Sequence, residues 1–165
     1  MRGKMNLDER KKVSRELFKK AYRAQSKGSI EEAILLYQKS IAAYPTPEAY
    51  TFLGWAMSHF GKFEEAIGFC KQAIEIDPQF GNPYNDIGAY LIELGHLDEA
   101  IPYLEKATKA PRYESYCYPH YNLGRVWEEK GHLKEAIRSY QKAIEENPEY
   151  HVALQAIERL KGSLH

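Results

Sequence analysis

The sequence predicts an all-α protein built as a solenoid, an array of stacked helix pairs. Three observations predict this class. A glycine pattern recurs at a fixed period, apolar residues recur at helical spacing within each copy, and alternating strand-like segments do not appear in the sequence. In a solenoid each unit buries its apolar face against its neighbours, so the array presents an extended surface to other molecules.

The repeated pattern is a glycine, six residues, a second glycine, four residues and an alanine. Its first glycines are Gly54, Gly88 and Gly124, which lie 34 and 36 residues apart. The longer interval contains a two-residue insertion near residues 112–116. A weaker copy upstream has Ala21 at the first glycine position. The sequence therefore contains four copies of a unit of about 34 residues.

Each copy is predicted to form two helices joined at its second glycine. In the second copy, apolar residues at helical spacing run from Tyr50 to Phe60 and again from Phe63 to Ile74. Gly61 between them can adopt the left-handed backbone conformation that ends a helix, and acidic residues then begin the next one. Prolines at residues 45, 78 and 148 stop the second helices, and those at residues 47 and 83 suit the first turn of the following helix.

Small side chains occupy the same two places in every copy. The first helices carry alanine or glycine at residues 21, 54, 88 and 124, and the second helices carry alanine at residues 33, 66, 100 and 136. Two antiparallel helices joined by a tight turn can approach closely only where the facing side chains are small. These positions therefore predict the crossing contact inside each pair.

On these positions the chain resembles the tetratricopeptide repeat family, whose pattern is an aromatic residue, Leu-Gly, an aromatic, Ala, an aromatic, Ala and Pro. The fourth copy reads His120, Leu123, Gly124, Trp127, Ala136, Tyr140, Ala143 and Pro148. The first copy is degenerate, and the four copies together span about residues 14–150. The resemblance implies a right-handed α-solenoid of four helix pairs in which the first helices line a concave groove.

The copies also predict the organisation of the chain. An apolar stripe from Tyr150 to Leu160 continues past the last repeat and predicts a capping helix, because an open end would expose the last pair. The expected segments are 1–13, a basic extension of the first helix; 14–46, degenerate repeat 1; 47–80, repeat 2; 81–116, repeat 3 with the insertion; 117–150, repeat 4; and 151–165, the capping helix and tail.

Composition narrows the classes of partner. The formal net charge is zero, yet residues 1–20 hold eight basic and three acidic side chains. A basic end could contact nucleic acid or anionic lipid, but without interleaved aromatic residues the solvated face of a first helix is favoured. No apolar run approaches the roughly 18 residues of a membrane span, and two cysteines do not make a disulfide framework. A cytoplasmic protein is expected, with nucleic acid and membrane disfavoured as partners.

The resemblance places the functional residues on the first helices. Amides and arginine can bind a peptide backbone, and aromatic rings supply apolar area with few rotamers to freeze. For Trp55, contact with a ligand and packing on the neighbouring first helix both remain open. The expected peptide-binding groove consists of Arg15, Phe18, Lys19, Tyr22, Glu48, Thr51, Phe52, Trp55, His59, Asn82, Asn85, Asp86, Tyr118, Tyr121, Asn122 and Arg125.

The expected function is a non-catalytic adaptor that binds a peptide or helix of another protein, without a cofactor or metal. The sequence lacks a phosphate-binding glycine loop, a nucleophile motif and paired metal-ligand residues. The family's carboxylate clamp for acidic chaperone tails is also disfavoured, because Phe18 and Tyr22, or Thr51 and Trp55, stand where its first Lys and Asn would be. Two alternatives stay open: weak self-association through Tyr113, Tyr116 and Tyr118, and an accessory role in a larger enzyme, chaperone or secretion assembly.

Overall fold

A computed structural model describes residues 3–164, so residues 1–2 of the predicted extension and residue 165 of the predicted tail lie outside it. The described chain forms two compact units that meet in sequence between Pro78 and Gln79. Unit 1 contains α1 (Leu7–Ser26), α2 (Ile30–Ala43), α3 (Pro47–Ser58) and α4 (Phe63–Ile76). Unit 2 contains α5 (Asn82–Glu93), α6 (Leu97–Lys109), α7 (Cys117–Glu129), α8 (Leu133–Glu146) and α9 (His151–Ser163).

Helices pack in chain order within each unit. In unit 1, α1 packs on α2, α2 on α3, and α3 on α4, while α1 also contacts α3. In unit 2, the same order runs from α5 to α9, and α5 also contacts α7. Across residues 3–164 the only β-type pairing outside these helices is one isolated bridge between Phe80 and Arg112. The predicted all-α class with successive helix pairs is confirmed.

Side-chain caps fix where two of the first helices begin. At the start of α1, the Asn6 side chain accepts a hydrogen bond from the Glu9 amide at 2.9 Å, and the Glu9 carboxylate accepts one from the Asn6 amide at 3.0 Å. This reciprocal capping box satisfies two amides that have no partner inside the helix. At the start of α3, Thr46 accepts from the Ala49 amide at 3.2 Å, and Pro47 occupies the first turn.

The predicted glycine turns are confirmed in all four helix pairs. Gly28, Gly61, Gly95 and Gly131 have φ values of 85, 70, 78 and 79°, the left-handed region that other residues rarely adopt. After Gly95, the His96 amide donates to the Leu91 carbonyl at 2.8 Å, which closes the end of α5. Each pair therefore turns back on itself in the same way.

The first helix of a pair approaches the second most closely at the repeated glycine. A Cβ atom at residue 54 would lie 3.0 Å from the Ala66 carbonyl oxygen, so the two helix backbones are nearly in contact. At residues 88 and 124, an added Cβ would overlap the side chains of Leu104 and Tyr140. The repeated glycine therefore faces two places on the second helix: the turn that holds the repeated alanine, and the side chain four residues after that alanine. A large side chain at the second place reaches back along its helix toward the glycine.

The last helix covers the apolar side of α8. Ala153, Ala156, Ile157 and Leu160 of α9 are buried in one cluster with residues of α8. On α7, Glu128 accepts hydrogen bonds from the Tyr140 hydroxyl at 2.8 Å and from the Arg159 guanidinium at 2.5 and 3.1 Å. Arg159 lowers the pKa of the Glu128 carboxyl, so the charged form that links α7, α8 and α9 is favoured.

The glycine contacts predict opposite effects for two Gly→Ala changes. Gly124→Ala should lower the free energy of unfolding by about 1–3 kcal/mol, because the Tyr140 ring is buried and its hydroxyl is held by Glu128. Gly68→Ala, inside α4 with open space around it, should raise stability by about 0.5–1 kcal/mol through backbone entropy. Urea unfolding measures both, and equal effects would contradict the close crossing.

Candidate functional site

Aromatic rings of α1 and α3 form a connected surface on unit 1. The Phe52 ring lies at the centre, with centroids 5.4 Å from Phe18, 5.7 Å from Tyr22 and 6.0 Å from Trp55. All three pairs meet edge to face, at interplanar angles of 76–87°. Trp55 also contacts His59 at 5.3 Å. We call Phe18, Tyr22, Phe52, Trp55 and His59 the unit 1 aromatic surface.

This aromatic surface is open to solvent at two large rings. Tyr22 is 49% exposed and Trp55 is 42% exposed, whereas Phe18 and Phe52 are half-buried beneath them. The imidazole of His59 is exposed, and its Nδ1 donates to the Trp55 carbonyl at 2.9 Å. An exposed cluster of large rings costs hydration free energy, so it marks a surface suited to contact with another molecule.

Charged residues border the same surface. Arg15 lies three residues before Phe18 and Lys19 three before Tyr22, on one side of α1, and both cations are exposed. Glu48 lies in the first turn of α3 and is half-buried. Thr51 is 2% exposed, and its hydroxyl donates to the Pro47 carbonyl at 2.7 Å. Thr51 therefore helps to hold the first turns of α3 and does not present its hydroxyl to solvent.

The corresponding helices of unit 2 are joined by a polar network. Asn122 of α7 donates to the Asn85 side-chain oxygen of α5 at 3.0 Å, and both amides are buried. Arg125 donates to the Asn122 oxygen at 3.2 Å and forms an ion pair with Glu93 at 3.0 Å. Because these amides satisfy each other, Asn85 and Asn122 position α5 against α7 and leave Arg125 half-buried at the edge.

Two tyrosines on the same side of α7, four residues before Asn122 and Arg125 respectively, pack on a different neighbour. Tyr118 and Tyr121 lie 5.6 and 5.4 Å from Tyr150, in both cases edge to face, and Tyr121 also packs on Tyr140 at 5.4 Å. Tyr118 is 44% exposed. Burial raises the pKa of Tyr150 to about 12. The Tyr150 phenol therefore stays neutral at physiological pH and supports the two rings of α7.

Asp86 on α5 is half-buried. Burial raises the pKa of this carboxyl to about 7, and its hydrogen bond with Asn85 opposes the shift. Asp86 and burial together also raise the pKa of Tyr113, which places the two groups near each other. Asn82, one turn earlier on α5, is half-buried.

Of the sixteen residues that the sequence predicts, most reach the surface, but three are buried: Thr51, Asn85 and Asn122. Three residues outside that predicted set contact its members. Tyr37 lies beneath Phe18 and Phe52, Glu93 pairs with Arg125, and Tyr150 supports Tyr118 and Tyr121. In the tyrosine cluster proposed from the sequence, Tyr113 packs on Tyr116 and Tyr118 packs on Tyr150.

One signal in the sequence could have located Glu93. Three ion pairs of unit 2 join opposite charges that lie 31 or 32 residues apart, slightly less than one repeat. They are Arg125 with Glu93, Lys130 with Asp98, and Arg159 with Glu128. The first pair joins α7 to α5, the second joins the end of α7 to the first turn of α6, and the third joins α9 to α7.

No group of three or more His, Cys, Asp or Glu side chains in residues 3–164 is arranged to hold a metal ion. None of the helices in that range is long and apolar enough to span a bilayer.

Together these features define a class of protein: an array of helix pairs in which the buried positions repeat and the first helices display varied polar and aromatic side chains. Models of the tetratricopeptide repeat family match residues 18–79, 69–101 and 117–150, which together cover more than half of the chain. The chain belongs to the tetratricopeptide repeat family.

Among curated proteins, the chain is similar to the small glutamine-rich tetratricopeptide repeat-containing protein 2 of Mycosarcoma maydis. The two are 34% identical over 91 residues, which is 54% of this chain and 25% of that protein. The chain spans a quarter or less of the length of the curated relatives it matches. The likeness therefore concerns the repeats.

Solved structures share the fold. The structure of pilF from Pseudomonas aeruginosa superimposes with a TM-score of 0.85 and 18% identity, covering 92% of this chain and 68% of that one. YrrB, described as a TPR protein with an unusual peptide-binding site, gives a TM-score of 0.71 and 20% identity over 88% of this chain and 75% of its own. At these identities the likeness establishes the fold, an α-solenoid of helix pairs.

The buried carboxyl predicts a pH-dependent stability. The unfolded chain releases the Asp86 proton near its ordinary pKa of 3.8, whereas the folded chain holds it until about pH 7. Stability should therefore fall as the pH rises from about 4 to about 7. Asp86→Asn should remove this loss, with a gain in unfolding free energy of about 1–3 kcal/mol at pH 8 and almost none at pH 4. Urea unfolding at both pH values tests it, and an equal gain at both would contradict the assignment.

The buried amide network predicts a structural role for Asn122. Asn122→Ala should cost about 1–3 kcal/mol of unfolding free energy, because the Asn85 oxygen and an Arg125 N–H group lose their partner. Gln141→Ala, at an exposed site on α8, is the control and should change stability by less than about 0.5 kcal/mol. Similar midpoints for the two variants in urea would show that the network contributes nothing.

Proposed function

We propose that this protein is a non-catalytic interaction module that binds a peptide or helix of another protein through the exposed side chains of its first helices. The membership of the tetratricopeptide repeat family and the α-solenoid fold support an interaction role. The observation that carries the proposal is the unit 1 aromatic surface, where Tyr22 and Trp55 remain 49% and 42% exposed within a packed ring cluster.

The aromatic rings of unit 1 have the properties of binding anchors. Trp55 is fixed by edge contacts with Phe52 and His59, so little side-chain entropy remains to be lost when a ligand binds. Trp and Tyr dominate measured binding hot spots for this reason and because they bury large areas. Phe18 and Phe52 lie below and keep the exposed rings in place.

Unit 2 offers a more polar surface. Tyr118 is exposed beside Tyr121, and Arg125 has donors directed to Asn122 and Glu93. Asp86 retains a carboxyl that burial makes unfavourable, and a cationic group from a ligand would compensate for that burial. We propose that a partner contacts Asn82, Asp86, Tyr118, Tyr121 and Arg125, whereas Asn85 and Asn122 act by positioning α5 and α7.

The relatives are consistent with this function. YrrB, which shares the fold, is described as having a peptide-binding site, and we extend peptide binding to this chain as a proposal. We propose a cytoplasmic setting, because two cysteines do not make a disulfide framework and a reducing compartment fits such a chain.

Self-association is the second candidate, and exposed apolar residues at the end of unit 2 favour it. Val152, Leu154 and Leu164 are 47%, 43% and 47% exposed on or next to α9. A second copy covering this helix would remove them from water. Light scattering over a range of concentrations distinguishes the candidates, since a constant monomer mass excludes self-association.

Removal of the exposed indole tests the binding proposal. Trp55→Ala should weaken binding of a retained partner protein by about 2 kcal/mol, or about thirtyfold in Kd, because the anchor ring is lost. The partner is captured on the immobilised wild-type chain, and titration calorimetry then gives the affinities of both forms. Thermal melts accompany each measurement.

Leu35→Ala is the matched control for this experiment. Leu35 is 59% exposed on α2, a second helix, so its truncation removes similar apolar area outside the proposed surface. Leu35→Ala should bind like the wild type. If Trp55→Ala lowers the melting temperature strongly and leaves the affinity unchanged, Trp55 serves packing between α1 and α3 and the proposal is wrong.

A further inference from the structure

The solvent side of α1 carries a strong excess of positive charge. The helix contains seven basic residues and three acidic ones, although the whole chain has no net charge. Asp8 and Glu9 lie in the first turn, where the helix dipole accommodates them. Beyond that turn, Glu16 is the single acidic residue of α1.

The charges of α1 are largely uncompensated inside the protein. Arg10 donates to the Ala43 carbonyl at 2.9 Å, and the Lys11 ammonium lies 5.3 Å from the centre of the Tyr44 ring. Lys12, Arg15 and Lys19 are exposed, and no carboxylate in the described range lies within ion-pair distance of them. Such free cations raise the local concentration of acidic ligands.

Two of these cations adjoin the unit 1 aromatic surface. Arg15 and Lys19 alternate with Phe18 and Tyr22 along the same side of α1, so positive groups border the exposed rings directly. The acidic residue on the α3 side, Glu48, lies in that helix's first turn. A ligand that covers Trp55 and Tyr22 therefore meets a cationic border on its α1 side.

Aromatic rings beside cations also occur in proteins that bind single-stranded nucleic acid, where bases stack on open ring faces. Here the rings contact one another edge to face, with Phe52 between Phe18, Tyr22 and Trp55. This arrangement favours insertion of aliphatic or aromatic side chains between ring edges over stacking of successive bases. A protein ligand fits the surface better than a nucleic acid.

We propose that the α1–α3 surface of unit 1 selects an acidic protein segment, with an apolar anchor against Tyr22 and Trp55 and neighbouring Asp or Glu side chains against Arg15 and Lys19. This inference rests on the proposed function and names the chemistry of its partner. The carboxylates belong to side chains within the segment, so a free C-terminus is not required. Salt weakens the interaction because exposed charges carry the selectivity.

Selection from a phage library of random peptides, displayed without a free C-terminus, tests the proposal on the full chain. Enriched peptides that depend on Trp55 should combine an aromatic or aliphatic residue with several Asp or Glu residues. Their affinity, measured by fluorescence anisotropy on synthetic peptides, should fall by about tenfold between about 0.05 and 0.5 M NaCl.

Charge reversal supplies the matched comparison. Arg15→Glu with Lys19→Glu should raise the Kd of the selected acidic peptides by about tenfold or more and flatten the salt dependence. Lys134→Glu with Arg138→Glu makes the same change of charge at exposed sites of α8 and should alter the Kd by less than about twofold. If circular dichroism shows that the Arg15→Glu and Lys19→Glu double variant is unfolded, Arg15→Gln with Lys19→Gln replaces it. The Kd of the acidic peptides should again rise.

Three outcomes would overturn the inference. Trp55-dependent peptides that are neutral or basic would refute acidic selectivity while leaving the proposed function intact. Failure to enrich any Trp55-dependent peptide would refute both. Tighter binding of single-stranded poly(dT) than of the acidic peptides, lost in the Arg15 and Lys19 variant, would assign this surface to nucleic acid.

Discussion

The close approach of the two helices in each pair is the constraint on which the rest of the structure depends. At Gly54 the neighbouring backbone is so near that a single Cβ would touch the Ala66 carbonyl, and at Gly124 the space is filled by the Tyr140 ring. Such close packing fixes the rotation of each helix about its own axis, because any other rotation would push larger side chains into the paired helix. The outward-facing residues are fixed by the same contact.

Because packing is confined to repeated positions, the two units can display different chemistry on equivalent helices. Unit 1 places rings on α1 and α3 and cations on α1, whereas unit 2 uses Asn85, Asn122 and the Arg125–Glu93 ion pair to join α5 and α7. The unit 2 network adds rigidity, while the unit 1 surface retains exposed apolar area. Features that lower stability, such as the open Trp55 ring and the buried Asp86 carboxyl, concentrate on these first helices.

Much of the fold could be predicted from the sequence because its determinants are local. Gly61 and its equivalents end helices through a backbone conformation that depends on one residue, and Pro47 and Pro83 begin helices through a fixed φ. The 34-residue period then repeats the same helix–turn–helix unit along the chain. For the candidate site, the resemblance to the tetratricopeptide repeat family pointed to the first helices, where Tyr22 and Trp55 are exposed.

The sequence by itself thus determined that the chain is helical, where each helix pair turns back, and which positions of its two helices face each other. These features follow from residues within one or two helical turns. Only the tertiary structure decided which side chains of the first helices reach solvent. Thr51 and Asn122 lie on the same helix faces as exposed residues yet are buried. Tyr37 of α2 packs beneath Phe52, and Glu93 pairs with Arg125 across two first helices. Burial and pairing of this kind depend on the distance and rotation between helices, which sequence spacing alone does not specify.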